Sequence, residues 1–115
     1  MLTVVTGPPC SGKTTYVSQH SKSNDVVIDY DSLAQALGSS DPHIHAPHIQ
    51  RIALAAWSAA VTRALASQDC DVWIIDSFPT VARQDAYARS QARHVRCAAD
   101  PDELQRRATN RALSP

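Results

Sequence analysis

The chain reads Gly7-Pro8-Pro9-Cys10-Ser11-Gly12-Lys13-Thr14 near its amino end, and this stretch decides the fold. It matches the pattern G-x-x-x-x-G-K-[ST] in full, and Thr15 follows directly. A β-branched run, Leu2 to Thr6, precedes the stretch, and a helical segment from about Lys13 to His20 comes after it. A strand, this loop and a helix in that order predict a phosphate-binding loop (P-loop) for a nucleoside triphosphate.

The residue types in the loop suit the binding of phosphate groups. Gly7 and Gly12 permit backbone angles that other residues resist, so successive N–H groups can turn towards an anion. We expect Lys13 to place its ammonium between the β- and γ-phosphates and Thr14 to give its hydroxyl to Mg²⁺. The position of Cys10 in the loop mainly requires a small side chain. The alternative is a redox role for its thiol, because a helix N-terminus can make a thiol reactive.

The composition is that of one globular domain. The chain has 115 residues, 43% of them hydrophobic, which allows a single core. Lysine and arginine balance aspartate and glutamate at 11 each, and this neutrality argues against a strong non-specific binder of nucleic acid or membranes. Three cysteines without a CxxC pair, and the lack of an apolar run that could cross a membrane, predict a cytoplasmic protein.

Predicted strands and helices alternate along the rest of the chain. Further strands are predicted at 26–29, 72–76 and 94–98, and helices at 32–37, 47–67, 80–91 and 102–113. In the long helix, the apolar residues spaced by three and four, expected to face the core, are Ile49, Ile52, Ala53, Ala56, Ala60, Val61, Ala64 and Leu65. Strands separated by helices imply a parallel sheet covered on both faces, which is an α/β fold.

Three aspartates follow predicted strands. Asp76 ends the most apolar strand and is expected to support Mg²⁺, the alternative being a cap for the turn Ser77-Phe78-Pro79. Asp29 and Asp31 follow the second strand at the same edge of the sheet, and either could accept the proton of an attacking hydroxyl. Asp31 is the stronger candidate for this base, and it also fits the N-cap of the next helix.

Two weaker patterns involve histidines and arginines. Three histidines, His43, His45 and His48, lie in or beside the loop before the long helix. They are consistent with a zinc site, with contacts to an acceptor substrate or with a plain polar loop, and no cysteine lies nearby. The arginines could form a solvated helix face or bind phosphate groups. They cluster towards the carboxyl end, at Arg93, Arg96, Arg106, Arg107 and Arg111.

The order of these motifs resembles the small P-loop kinases related to bacteriophage polynucleotide kinase and zeta toxin, which carry an AAA-type ATP-binding domain and are often phage-encoded. Beside the loop at 7–15, the resemblance rests on Val26-Val27-Ile28-Asp29-Tyr30-Asp31, on Trp73-Ile74-Ile75-Asp76 and on Asp100-Pro101-Asp102-Glu103-Leu104-Gln105-Arg106-Arg107 with Arg111. It implies a three-layer P-loop NTPase fold over residues 1–115, with about four strands in the order 2-3-1-4 and a C-terminal lid helix.

The resemblance also implies site residues and an activity. Asp31 would activate the acceptor hydroxyl, while Arg106, Arg107 and Arg111 would clamp the triphosphate. The expected function is transfer of the γ-phosphoryl group of ATP, with Mg²⁺, to a hydroxyl of a nucleotide, a polynucleotide 5′ end or a small metabolite.

Two other classes of function stay open: a nucleotide-binding module, completed by another subunit such as a second copy, and a simple NTPase. Two departures from the group motivate the module. The group often has an arginine where this chain has Ala34, and it usually continues with a further strand, whereas this sequence ends at Pro115.

Overall fold

A parallel sheet forms the centre of the computed structural model, which describes residues 1–8, 11–66 and 69–98. In this part of the chain the strands are β1 (Leu2–Thr6), β2 (Val26–Ile28), β3 (Val72–Ile75) and β4 (Arg93–Arg96). They are paired in the order β2-β3-β1-β4, and every pairing is parallel. The helices are α1 (Lys13–His20), α2 (Tyr30–Ala36), α3 (Pro47–Ala66) and α4 (Val81–Arg89). The predicted α/β fold and strand order are therefore confirmed.

Alternate residues of the strands face two different layers of helices. On one face, Val4 and Ile74 belong to a core that includes Trp57 of α3 and Tyr87 of α4. On the other face, a second core packs against Tyr16 and contains Val5, Val17, Trp73 and Ile75. The period of two along a strand produces this division, and the sheet is the middle of three layers. The prediction that Trp57 and Trp73 are packing residues is confirmed, since both are buried.

The edge of the sheet explains where the predicted core was wrong. We expected 26–29 to be a buried strand, but Val26 and Val27 are exposed and Ile28 is buried. Because β2 is the edge strand beside β3, it has one neighbour in the sheet and less cover from the helices. On α3, Ile52 is exposed although its spacing predicted burial, while Ala53, Trp57 and Val61 face the core.

The start of α2 differs from the prediction and matters for the site. Asp29 occupies the N-cap position and α2 begins at Tyr30, so the prediction that Asp31 caps this helix was wrong. Asp29 Oδ2 accepts a 2.7 Å hydrogen bond from Ser32 Oγ, and Asp31 lies in the first turn instead. Asp31 is thereby free of a capping role. The boundaries of the other described elements agree with the predictions to within two residues, and those of β1 and α1 are identical to them.

Several predictions concern residues outside the described part of the chain. These are the predicted lid helix 102–113 with Arg106, Arg107 and Arg111, and the loop residues Pro9 and Cys10. Among the residues that are described, no helix is both long enough and apolar enough to span a membrane.

Candidate functional site

Two glycines give the P-loop its path. Gly7 leaves β1 with φ of 147°, and Gly12 occupies the N-cap of α1 with φ of 86°. Both angles lie in the region that L side chains rarely adopt. A Cβ atom at Gly7 would also overlap the carbonyl oxygen of Cys97, so space as well as backbone angle requires glycine there. The loop therefore turns sharply from β1 into the N-terminus of α1.

Lys13 lies with its charge at the centre of this loop. Its side chain is buried, and Nζ donates hydrogen bonds to the carbonyl oxygens of Gly7 at 2.9 Å and Pro8 at 2.8 Å. Ser11 Oγ is 3.4 Å from the same ammonium. Thr14 and Thr15 are exposed on the first turn of α1. The loop thus brings an ammonium, a helix N-terminus and an accessible hydroxyl together, a combination suited to a phosphate and its cation.

Asp76 is buried directly after β3, and its two carboxylate oxygens are engaged by α4. Oδ2 accepts hydrogen bonds from Arg83 Nε at 2.8 Å and from the Tyr87 hydroxyl at 2.7 Å, while Oδ1 accepts one from Arg83 Nη2 at 3.2 Å. These hydrogen bonds raise the pKa of the Arg83 guanidinium. Burial first, and then the hydrogen bond to Asp76, raise the pKa of the Tyr87 phenol far above its usual value.

The number of unoccupied lone pairs on the Asp76 carboxylate determines how it can bind a cation. Each carboxylate oxygen accepts about two hydrogen bonds, so Oδ2 is fully used by Arg83 and Tyr87, and Oδ1 keeps one position. That position suits a water of a hydrated Mg²⁺, an ion that retains much of its water shell in proteins. The residues present therefore fit a magnesium ion held by Thr14, with Asp76 acting through a water molecule.

Asp31 has a different environment, built from the loop between α2 and α3. His45 Nε2 is 2.7 Å from Asp31 Oδ1, and His43 Nδ1 is 3.4 Å from Oδ2. The His45 side chain is 1% exposed and that of Asp31 is 36% exposed. The interpretation of this segment as a plain polar loop was wrong for His45, which is buried. His48 is exposed on α3, and no group of three metal-binding side chains occurs in the described part of the chain.

The strand order brings these groups to one edge of the sheet. Parallel strands end on the same side, and here β1 leads into the P-loop, β3 ends at Asp76 and β2 is followed by Asp29 and Asp31. Neighbouring strands are about 4.8 Å apart, so the ends of β1 and β2 are separated by roughly 10 Å. An aspartate on each of two strands thus lies on one side of the loop, at the edge where ligands bind in open α/β sheets.

A cleft of about 680 Å³ opens on the other side of the loop, between α4 and β4. Gly7 and Pro8 form one wall, and the turn with Phe78 and Pro79 forms another. Most of the lining is apolar, but His94 and Arg96 of β4 place two nitrogen-bearing side chains in it. Its volume is in the range of small-molecule sites.

Comparison with known proteins supports the interpretation of this edge as a nucleotide site. A family model for the AAA domain matches residues 4–114, almost the whole chain. The chain belongs to the AAA domain family. No curated protein matches it significantly. Membership of this family implies that a nucleotide is a partner of the chain.

Some residues of the AAA domain site could not be assigned from the sequence. Arg83 and Tyr87 are four residues apart and therefore lie on one face of α4. This spacing is the one feature of the sequence that could have indicated that both contact Asp76. His45 was one of three histidines in an apparently polar segment, and nothing in the spacing distinguished it. Arg93 and Arg96 separate in the fold, since Arg96 lines the cleft whereas Arg93 lies over the Trp73 ring on the α1 side.

Proposed function

We propose that this AAA domain is an ATP-dependent kinase that transfers the γ-phosphoryl group to a hydroxyl group. The observation that carries the proposal is the state of Asp31, whose carboxylate has one oxygen held by buried His45 and the other in a long 3.4 Å contact with exposed His43, which an acceptor can replace. It lies on the sheet edge that also carries the P-loop. The acceptor classes are a nucleotide, a polynucleotide 5′ end or a small hydroxyl-bearing metabolite, as in the often phage-encoded kinases that the motifs resemble.

The proposed step is an in-line displacement on the γ-phosphorus. The acceptor hydroxyl gives its proton to Asp31 Oδ2, and its oxygen forms a bond to phosphorus. The bond from phosphorus to the bridging oxygen breaks, ADP leaves with that electron pair, and Asp31 later returns the proton to water. Asp29 is the second candidate base; it occupies the N-cap position of α2, and its Oδ2 accepts a hydrogen bond from Ser32.

The P-loop stabilises the charge that the phosphates carry. Lys13 exchanges its contacts with the Gly7 and Pro8 carbonyl oxygens for phosphate oxygens, and the N–H groups of the first turn of α1 add to the anion site. Mg²⁺, held by Thr14 and through water by Asp76, neutralises part of the phosphate charge when bound. In this proposal Arg106, Arg107 and Arg111, outside the described residues, complete the clamp, as the resemblance implies.

Phosphate transfer from γ-labelled ATP to a panel of 5′-hydroxyl oligonucleotides, nucleosides, nucleoside monophosphates and sugar alcohols tests the proposal. We expect Asp31→Ala to lower kcat about 10²- to 10⁴-fold, the contribution of a general base, while the Kd for ATP stays within about twofold. Equal losses of ATP affinity and turnover would show that Asp31 is not the base. Nucleotide binding without any transfer would favour a binding module, and acceptor-independent release of phosphate would identify a simple NTPase.

We propose that the cleft beside the loop receives the nucleoside part of ATP, because Gly7 and Pro8 of the P-loop line it. Arg96→Ala should then weaken ATP binding by about three- to tenfold through loss of a charge-assisted hydrogen bond. Arg93→Ala is the matched control, since Arg93 is on the same strand but packs over Trp73 on the other face. Isothermal titration with ATP measures both, and equal affinities for the two variants would contradict the assignment.

A further inference from the structure

We propose that His45 is a positioning residue for Asp31, which it fixes through one carboxylate oxygen so that the other faces the acceptor hydroxyl. The inference rests on the proposed kinase function and deepens it, because it explains how a base on a partly exposed helix turn is held in one orientation. It is carried by the hydrogen bonds and the burial of the histidine.

The contact between the two side chains has a defined direction. An ionised carboxylate has no proton to give, so the Nε2–H group of His45 donates to Asp31 Oδ1, at 2.7 Å. Asp31 is 36% exposed, whereas His45 is 1% exposed. The hydrogen bond therefore joins a partly exposed group to one that the protein interior holds, and it restricts rotation of the carboxylate.

The opposite side of the imidazole is held as well. His45 Nδ1 is 2.6 Å from Ser39 Oγ, and the Tyr30 ring meets the imidazole edge-to-face at 5.6 Å between ring centres. The N–H group of Ser39 donates to the carbonyl oxygen of Ala34 at 3.0 Å, so the serine is fixed to the end of α2. The chain Ser39–His45–Asp31 thus connects the end of α2 to its first turn across one ring.

The second oxygen of Asp31 is left for chemistry. Its described neighbour is His43 Nδ1, at 3.4 Å and on a side chain that is 54% exposed, so this contact is long and easily replaced by a substrate. A base must lie within hydrogen-bond reach of the proton that it accepts, and a displacement of 1 Å can reduce a rate about 100-fold. Fixing Oδ1 from a buried donor leaves Oδ2 in a reproducible place.

A purely structural role for His45 is the competing explanation. In that case the histidine only fastens the segment 38–46 to α2, a segment that Asp41 also stabilises by accepting hydrogen bonds from the N–H groups of His43 and Ile44. Two substitutions separate the explanations. In His45→Gln the amide nitrogen can occupy the place of Nε2 and still reach Asp31, whereas in His45→Asn the amide is at the level of Nδ1 and reaches Ser39 alone.

The test measures kcat, the KM for ATP and the melting temperature of the whole chain, with the panel acceptor that the unsubstituted chain phosphorylates fastest. We expect His45→Asn to lower kcat about 10- to 100-fold with the KM for ATP unchanged, and His45→Gln to stay within about threefold of the parent. His48→Asn, the same substitution at an exposed histidine, should leave kcat unchanged.

Three results would overturn the inference. An unaltered kcat in His45→Asn would remove the positioning role, and so would parallel losses of kcat, ATP affinity and melting temperature in both His45 variants. If the Asp31→Ala variant still transferred phosphate as the parent does, the base assignment and the inference would both be refuted. Abolition of transfer by Asp31→Ala, with His45→Asn fully active, would refute the inference alone and leave the kinase proposal standing.

Discussion

Asp31 and Asp76 both follow strands at the same edge of the sheet, yet their surroundings are opposite. Asp76 is 4% exposed and accepts three hydrogen bonds from Arg83 and Tyr87. Asp31 is 36% exposed and accepts one short hydrogen bond, from His45. The Asp76 carboxylate is neutralised by a cation from the next helix, whereas the second oxygen of Asp31 has only a long 3.4 Å contact, with exposed His43.

We infer from this difference that the surroundings of each aspartate, rather than its place along a strand, distinguish the two proposed roles. A carboxylate that already accepts hydrogen bonds from a guanidinium and a phenol is held in one orientation, which suits the binding of a hydrated cation. A carboxylate held at one oxygen alone is able to accept a proton at the other. We therefore expect substitutions at Asp76 to affect stability first and substitutions at Asp31 to affect turnover first.

The largest stability effect in this comparison is expected from Asp76→Ala. The change leaves the Arg83 charge and the buried Tyr87 hydroxyl without their acceptor, and should lower the free energy of unfolding by about 3 kcal/mol. This is the lower end for a broken buried pair, since Arg83 is 34% exposed and regains some water. Asp31→Ala should lower it by about 1 kcal/mol, because it removes one short hydrogen bond from buried His45. Urea unfolding of both variants measures the two changes in the free energy of unfolding. Similar losses in the two variants would contradict the proposed difference between Asp76 and Asp31.

A smaller effect is expected from Tyr87→Phe, which removes one of the three hydrogen bonds to Asp76 and keeps the ring. At pH 7 the free energy of unfolding should fall by about 1 kcal/mol. The ring remains in the core cluster that includes Trp57, so the stabilisation from its packing is retained. Urea unfolding at pH 7 checks this value, and a loss as large as that of Asp76→Ala would mean that the phenol, rather than Arg83, dominates the site.

The same variant should change how stability depends on alkaline pH. The pKa of Tyr87 is raised in the folded chain, so its stabilising contribution is complete below the unfolded-state pKa of about 10 and is lost as the pH rises beyond that value. The parent should therefore lose stability more steeply between about pH 9.5 and 11 than Tyr87→Phe does. Unfolding curves across this range test the sign, and parallel slopes would contradict the raised pKa.

The fold was predictable because its signals are local. The P-loop spacing, the β-branched strands and the turn residues each act over a few positions, and the alternation of strands and helices then fixes a parallel sheet. The candidate site was predictable only in part. Asp31, Asp76 and Lys13 carry motif signals, but the burial of His45 depends on how the segment 38–46 packs on α2, which no spacing encodes. The exposure of Ile52 likewise depends on which elements cover α3.

Gly7 has a consequence for sequence tolerance. Its positive φ angle and the closeness of the Cys97 carbonyl oxygen exclude every residue with a side chain, whether or not a nucleotide binds. A saturation library screened for folding alone should keep glycine at this position, just as a library screened for nucleotide binding would. Tolerance at Thr14, which is exposed on the first turn of α1 and is the proposed ligand of Mg²⁺, is the measure that separates selection for ATP from selection for the fold.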